Sequence, residues 1–396
     1  MRSFLAQLAW FSVPVIFACS GSSDEEPVQQ TMAPASPAAP ASPGAMSAAN
    51  GTDSMNRGVA ANPPAAGNNE APPVNAPLQN PPAGNGTGAG ATPPANTPDD
   101  DDDTTPPVTD PLPAATNGCP AGPFAASPLT AGATPQTLCT GLTFTEGAVW
   151  FAERSTLFFS DIVTGAGRIM SFTPGGTCQE FIGNSGTNGL AIAADGNLLA
   201  ARTGDRTITL FDLMTKQPTV LVANNGGLAF NAPNDVALRS DGNLYFTDPN
   251  YGGGMGQQPT RAYRRDPSGA LTVIDEGGNS NGITLSPDES KLYLSHLGGG
   301  ANNVLVFDVD ASGVLSSPRP FLPNTGSDGM GIDCAGNVYI SQGGVQVYAP
   351  DGNQLGTIPA PGAANVAFGG PEGKTLYITA RTSLLSIELA IPGLPY

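Results

Sequence analysis

Histidine is nearly missing from this sequence, and basic residues of any kind are scarce. Among 396 residues there is one His and there are 15 Lys plus Arg against 33 Asp plus Glu, a formal net charge of −18. A single histidine excludes a zinc centre with two or three His ligands, and any His–His dyad, within the chain. So few cations exclude non-specific nucleic-acid binding, which needs clustered Lys and Arg to displace counterions. The five cysteines contain no C-x-x-C spacing, which leaves little basis for a thiolate zinc site or a dithiol redox centre. Beyond the first nineteen residues no apolar run is long enough to cross a bilayer, and no amphipathic helical run of useful length occurs.

What the chain has in excess is Gly (51) and Pro (40), unevenly spread. Residues 20–118 carry 19 of the prolines and no Phe, Trp or Tyr. Such a Pro/Ala/Asn-rich stretch buries too little apolar surface to offset its ordering entropy and is predicted to be a disordered tether. Its acidic run Asp99–Asp103 reads as a solvated, self-repelling spacer. Ahead of it, Met1-Arg2 and the apolar stretch Phe4–Phe17 form a signal over residues 1–19. Its end, Val15-Ile-Phe-Ala-Cys19, resembles a bacterial lipobox, which implies acylation of Cys19 and an exported protein lipid-anchored to an outer membrane or cell surface. In an oxidising compartment the other four cysteines, Cys119, Cys139, Cys178 and Cys334, are expected to form disulfides. Three connectivities are open, of which Cys119–Cys139, closing a short loop, is favoured.

From Cys119 the text becomes short β-rich runs separated by Gly, Asp, Asn and Pro. One pattern recurs: a polar starter, alternating apolar residues, a Gly/Asp turn, then an apolar or aromatic strand. The starters are Glu146, Asn188, Asn234, Asn281, Asp328 and Asn365, at intervals of 42, 46, 47, 47 and 37 residues. Each following strand, at Leu157, Leu198, Leu244, Leu292, Val338 and Leu376, begins 10 or 11 residues after its starter. Asp-Gly pairs such as Asp195-Gly196 and Asp241-Gly242 are hairpin signals within the copies. Repeats of this period, each able to make a four-stranded unit, predict an all-β chain in which residues 119–396 form a six-bladed β-propeller.

Equivalent positions of successive blades ring a propeller's axis, so the six starters are expected to gather on one face. Two carboxylates and four amides without Lys or Arg make an oxygen-rich ring suited to a hard divalent cation such as Ca²⁺. Asn and Asp are also ordinary turn formers at strand starts; Glu146 is not. The residues match a family at this point. Thr145-Glu-Gly-Ala-Val-Trp150, Pro233-Asn-Asp-Val-Ala-Leu238, Tyr245-Phe-Thr-Asp-Pro249 with Tyr251-Gly252, Asn281-Gly-Ile-Thr-Leu-Ser-Pro-Asp288 and Ser327-Asp-Gly-Met330 resemble the regucalcin/gluconolactonase family, in its order and spacing, over roughly residues 140–390.

That resemblance implies a six-bladed propeller and a divalent-metal lactone hydrolase. It places metal ligands on Glu146, Asn234, Asn281 and Asp328. One ion is implied, Ca²⁺ first, with Zn²⁺, Mn²⁺ or Mg²⁺ as alternatives. The mechanism it suggests has Asp328 as ligand and general base, with Glu146 as the second candidate for the base, and Asn234 orienting the substrate. The chain departs from the family at Ala148, where Pro is usual, and at Gly227–Asn231, which lacks a basic residue often used for sugar hydroxyls. The single His296 reads as structural or surface, and Arg202 and Arg206 as surface or salt-bridge residues. Expected partners are a small lactone, no nucleic acid, and a membrane only through the anchor, the protein being a monomer. The competing reading is a non-catalytic, metal-stabilised tethered propeller that binds a glycan or protein; a strictosidine-synthase-like enzyme would need a catalytic acid not found here.

Overall fold

The computed structural model describes residues 118–164, 166–251, 259–298 and 300–394, all within the unit Asn96–Tyr396. The signal 1–19 with its anchor Cys19, and the tether as far as residue 117, lie outside the described residues. Period-two alternation bounded by Gly and Asp turns does what it should: the described residues form antiparallel strands, with one three-residue 3₁₀ turn at Ala152–Arg154 as the lone helical element. The six strands expected after the starters begin at Thr156, Leu198, Leu244, Lys291, Val338 and Thr375, each within one residue of its sequence-derived position.

Four sheets have four strands each. Their innermost strands are Thr187–Ile192, Val236–Leu238, Ser280–Leu285 and Met330–Ile332. A fifth sheet has six strands, in the order Ala363–Gly369, Thr375–Glu388, Gln136–Phe151, Thr156–Asp161, Arg168–Phe172, Gln179–Ile182. The described residues therefore form five propeller-type sheets, not the expected six. The reason is hydrogen bonding across the chain's two ends. In the strand Gln136–Phe151, the early residues Gln136–Thr140 pair with Ser383–Ser386, while Thr145–Phe151 pair with Thr156–Asp161. The first and last repeats thus share one sheet.

The segment Thr375–Glu388 is itself folded back. The Leu389 amide donates to the Lys374 carbonyl at 2.9 Å, whereas a continuous strand would hold those residues about 50 Å apart. The reversal lies at Arg381–Thr382, where Arg381 has φ +53°. The innermost strands touch their successors in turn, and Ala363–Gly369 touches Gln136–Phe151, closing a ring.

Buried apolar side chains fill the wedges between neighbouring repeats. Val149, Phe158 and Ile169 pack on Leu190, Leu198 and Phe211 of the next repeat. At the closing seam Ala367, Tyr377 and Leu384 pack on Trp150, Leu157 and Phe159, with Trp150 and Tyr377 stacked at 5.5 Å. Burying each such aromatic stabilises the ring by about 2–3 kcal/mol.

All four cysteines are paired, but not as favoured from sequence. Cys119 bonds Cys334 and Cys139 bonds Cys178, with Cα separations of 5.5 and 6.1 Å. Short sequence distance was a poor guide here. Cys139 lies in the shared strand, whose packing neighbour at the seam is the segment leading into Gln179–Ile182.

Candidate active site

Crowding at the axis explains why glycine so often follows a starter. A Cβ on Gly147 (φ +51°) would stand 1.9 Å from the Asn188 carbonyl oxygen, and one on Gly282 would stand 2.3 Å from that of Asp328. Adjacent inner strands approach backbone to backbone, and the Gly189 amide donates to the Asn234 carbonyl at 2.6 Å. The pairing register breaks between Glu146 and Val149. Such a bulge re-aims the side chains beside it.

Five of the six starters converge on one cavity of about 370 Å³, lined by Glu146, Asn188, Asn234, Asn281 and Asp328 together with Phe144, Ala232 and Tyr251. The sixth, Asn365, is not among its lining residues. Its side-chain oxygen accepts from the neighbouring Val366 amide at 2.7 Å, a turn-former's use of the side chain. All four residues expected to hold a metal or act on substrate, Glu146, Asn234, Asn281 and Asp328, are thus brought together. Asn281 Nδ2 donates to Asp328 Oδ1 at 2.9 Å and to the Tyr251 hydroxyl at 3.0 Å. Tyr251 in turn donates to the Leu297 carbonyl at 2.8 Å, which fixes the orientation of the amide.

Electrostatically the site is a cluster of acids. Burial, then the charges of Asp328 and Asp235, push the Glu146 carboxyl well above its ordinary range. Burial pushes Asp328 up to about 6, partly opposed by the Asn281 hydrogen bond and the charge of Arg381. Asp235, directly after a starter, is pushed up to about 7 by burial, although it accepts from the Val236 and Ile283 amides at 3.0 and 3.1 Å. Among the described residues none of the three is in an ion pair. Buried, unpaired acids close enough to raise one another's pKa are stabilised by a cation.

The donor set is oxygen alone, two carboxylates and two amides, and fits a hard divalent ion. Among the described residues no three His, Cys, Asp or Glu side chains group to hold a metal by themselves. An ion here would draw on the amides of Asn234 and Asn281 as well as on Glu146 and Asp328.

Other singled-out residues stand apart. His296 Nε2 meets Asp275 Oδ2 at 3.0 Å, and the same oxygen accepts from Ser280 Oγ at 2.9 Å; the histidine is buried and does not line the cavity. Arg202 donates to the Ser185 carbonyl at 2.7 Å and pairs with Asp205. Sequence reasoning did not single out Tyr251, Asp235 or Arg381. Tyr251 was visible as the Tyr-Gly of a matched motif, and Asp235 as the lone acid standing where four other repeats have glycine; Arg381 carried no local signal.

With the site described, its relatives can be named. Residues 144–382 match the model of a family described as SMP-30/Gluconolactonase/LRE-like region. A gluconolactonase of Zymomonas mobilis is 32% identical over 290 residues, covering 64% of this chain and 80% of that protein. A solved gluconolactonase from Xanthomonas campestris shares 31% identity with a TM-score of 0.61, covering 71% of this chain and 95% of that one. A calcium-binding regucalcin from Agrobacterium tumefaciens shares the fold at 21% identity and a TM-score of 0.55, covering 69% and 97%.

Proposed function

Because the chain belongs to the SMP-30/gluconolactonase/LRE-like family, we propose that it is a hydrolase of lactones dependent on a divalent cation, Ca²⁺ first. The observation that carries this reading is the convergence of Glu146, Asn234, Asn281 and Asp328 on one cavity. These four residues would hold the cation, which when bound would polarise an ester carbonyl and ease ionisation of water. The chain's own groups do the rest. Asp328 lines the cavity with the other three and is placed to exchange a proton with the attacking water. It takes the proton of the attacking water as the new C–O bond forms, and returns it to the ring oxygen as the old C–O bond breaks. Asn281 holds Asp328 Oδ1 in place, and Asn234 orients the substrate.

The test uses the full chain, stripped of metal and then reconstituted with Ca²⁺, Zn²⁺, Mn²⁺ or Mg²⁺, against a panel of small lactones. Turnover should require metal and fall at least ~100-fold in Asp328→Ala, the scale of losing a general base. Metal binding without turnover on any lactone would refute the hydrolase and favour a binding module. The lipobox ending at Cys19 supports a further part of the reading, an enzyme working outside the cytoplasm on a lipid tether. Mass spectrometry of the mature N-terminus tests that part, and an unacylated Cys19 would refute it.

A further inference from the structure

Among the described residues no Lys or Arg lines the cavity, and the stretch before Pro233 supplies none. A cation nevertheless stands against one of its lining residues, Phe144, and the repeat shows where. Ile162, Thr203, Tyr251 and Leu297 line the cavity, and each lies at or just past the end of the second strand of its repeat. The equivalent position of the last repeat is the two-residue turn Arg381–Thr382. Arg381 pairs with Thr145, the residue before Glu146, so the turn opens on the same face.

The Arg381 side chain is held there by geometry. Its stem lies across Gly362, where a Cβ would come within 2.7 Å of Arg381 Cγ. Its guanidinium stands 5.1 Å from the centroid of the Phe144 ring, and Phe144 lines the cavity. Arg381 is exposed and has φ +53°, a conformation that a side-chain-bearing residue rarely adopts. It forms no ion pair among the described residues. An arginine in a turn of this kind, bound to an aromatic face and to no carboxylate, keeps its planar set of N–H donors for a ligand.

We infer that Arg381 is a specificity-determining residue that hydrogen-bonds the ring hydroxyls of a polyhydroxylated lactone at the cavity mouth, selecting sugar lactones over unsubstituted ones. This rests on the lactonase reading above. It places the substrate's hydroxyl-bearing edge toward the closing seam of the ring, opposite the segment Gly227–Asn231.

The experiment compares glucono-δ-lactone with δ-valerolactone, the same ring without hydroxyls. The enzymes are the full-length wild type, Arg381→Gln and Arg381→Lys, each loaded with the cation that supports turnover. Arg381→Gln keeps the stem over Gly362 and removes the charge and most donors. The ratio of kcat/KM for the two lactones should fall about 10-fold, the scale of one or two lost hydrogen bonds, mainly through KM for the hydroxylated substrate. Arg381→Lys should recover part of it. A folding defect lowers both rates alike and leaves the ratio untouched, so an unchanged ratio overturns the inference while leaving the lactonase standing. If the wild type hydrolyses neither of these two, the inference fails; if it hydrolyses no lactone of the panel, the lactonase reading fails as well.

Discussion

Replacing Asp235 by Asn should make the metal-free protein more stable at alkaline pH and less stable at acid pH. The Asp235 carboxyl is buried and pushed up to about 7 from an ordinary value of 3.8. A folded-state pKa raised in this way stabilises the fold below the unfolded value, and the contribution is lost as pH rises through about 7. Full ionisation removes about 4 kcal/mol relative to low pH, of which about 3 kcal/mol develops between pH 5 and pH 8. Asn carries no charge and escapes that loss. It keeps one acceptor for the Val236 or Ile283 amide and turns an NH₂ toward the other, a pH-independent penalty of about 1–2 kcal/mol. The difference between variant and wild type should therefore cross zero at about pH 4.5–5.3. Urea unfolding of both full-length proteins in EDTA, with disulfides intact, at several pH values measures it. A variant destabilised by the same amount at both ends would refute the reasoning, because the carboxyl would then not be titrating in the fold.

Two further outcomes follow from the framework. Gly147→Ala should lose more than ~4 kcal/mol of stability, since its Cβ meets the Asn188 carbonyl at 1.9 Å and φ is +51°; a chemical-denaturation midpoint close to wild type would contradict the crowding argument. Removing the two disulfides separately by Ser substitution should cost about 4 kcal/mol for Cys139–Cys178, spanning 39 residues, and about 5 for Cys119–Cys334, spanning 215, on a chain-entropy view. The reverse order of the two losses would count against that view.

Most of the local structure could be read from the residues alone. The starters and the Gly/Asp turns are local signals, so the second strands fell within one residue of expectation, and four of the expected site residues share a cavity. What escaped reading was long-range. Nothing near Cys139 in sequence announces Cys178, and nothing near Gln136 announces pairing with Ser386. The same seam merged two repeats into one sheet and so reduced the sheet count to five. Asn365 looked like its fellow starters, but its oxygen is taken up by the Val366 amide, a choice that depends on rotamer and not on residue type. Arg381 reaches the site only through the fold-back at residues 381–382, which an uninterrupted β-rich run such as Thr375–Glu388 conceals.

The shared strand has a consequence for biosynthesis. Gln136 leaves the ribosome 250 residues before its partner Ser386, which at typical elongation rates is a wait of about 10–50 s. Throughout that interval the outer half of the strand is an open edge and Trp150 lacks Tyr377 to stack against. Unpaired edges of this kind recruit other chains. A stop codon just after Ala380 would remove only the last few per cent of the chain and yet hold every nascent copy in this unclosed state, so premature termination near the end should yield aggregate in place of a slightly shortened enzyme.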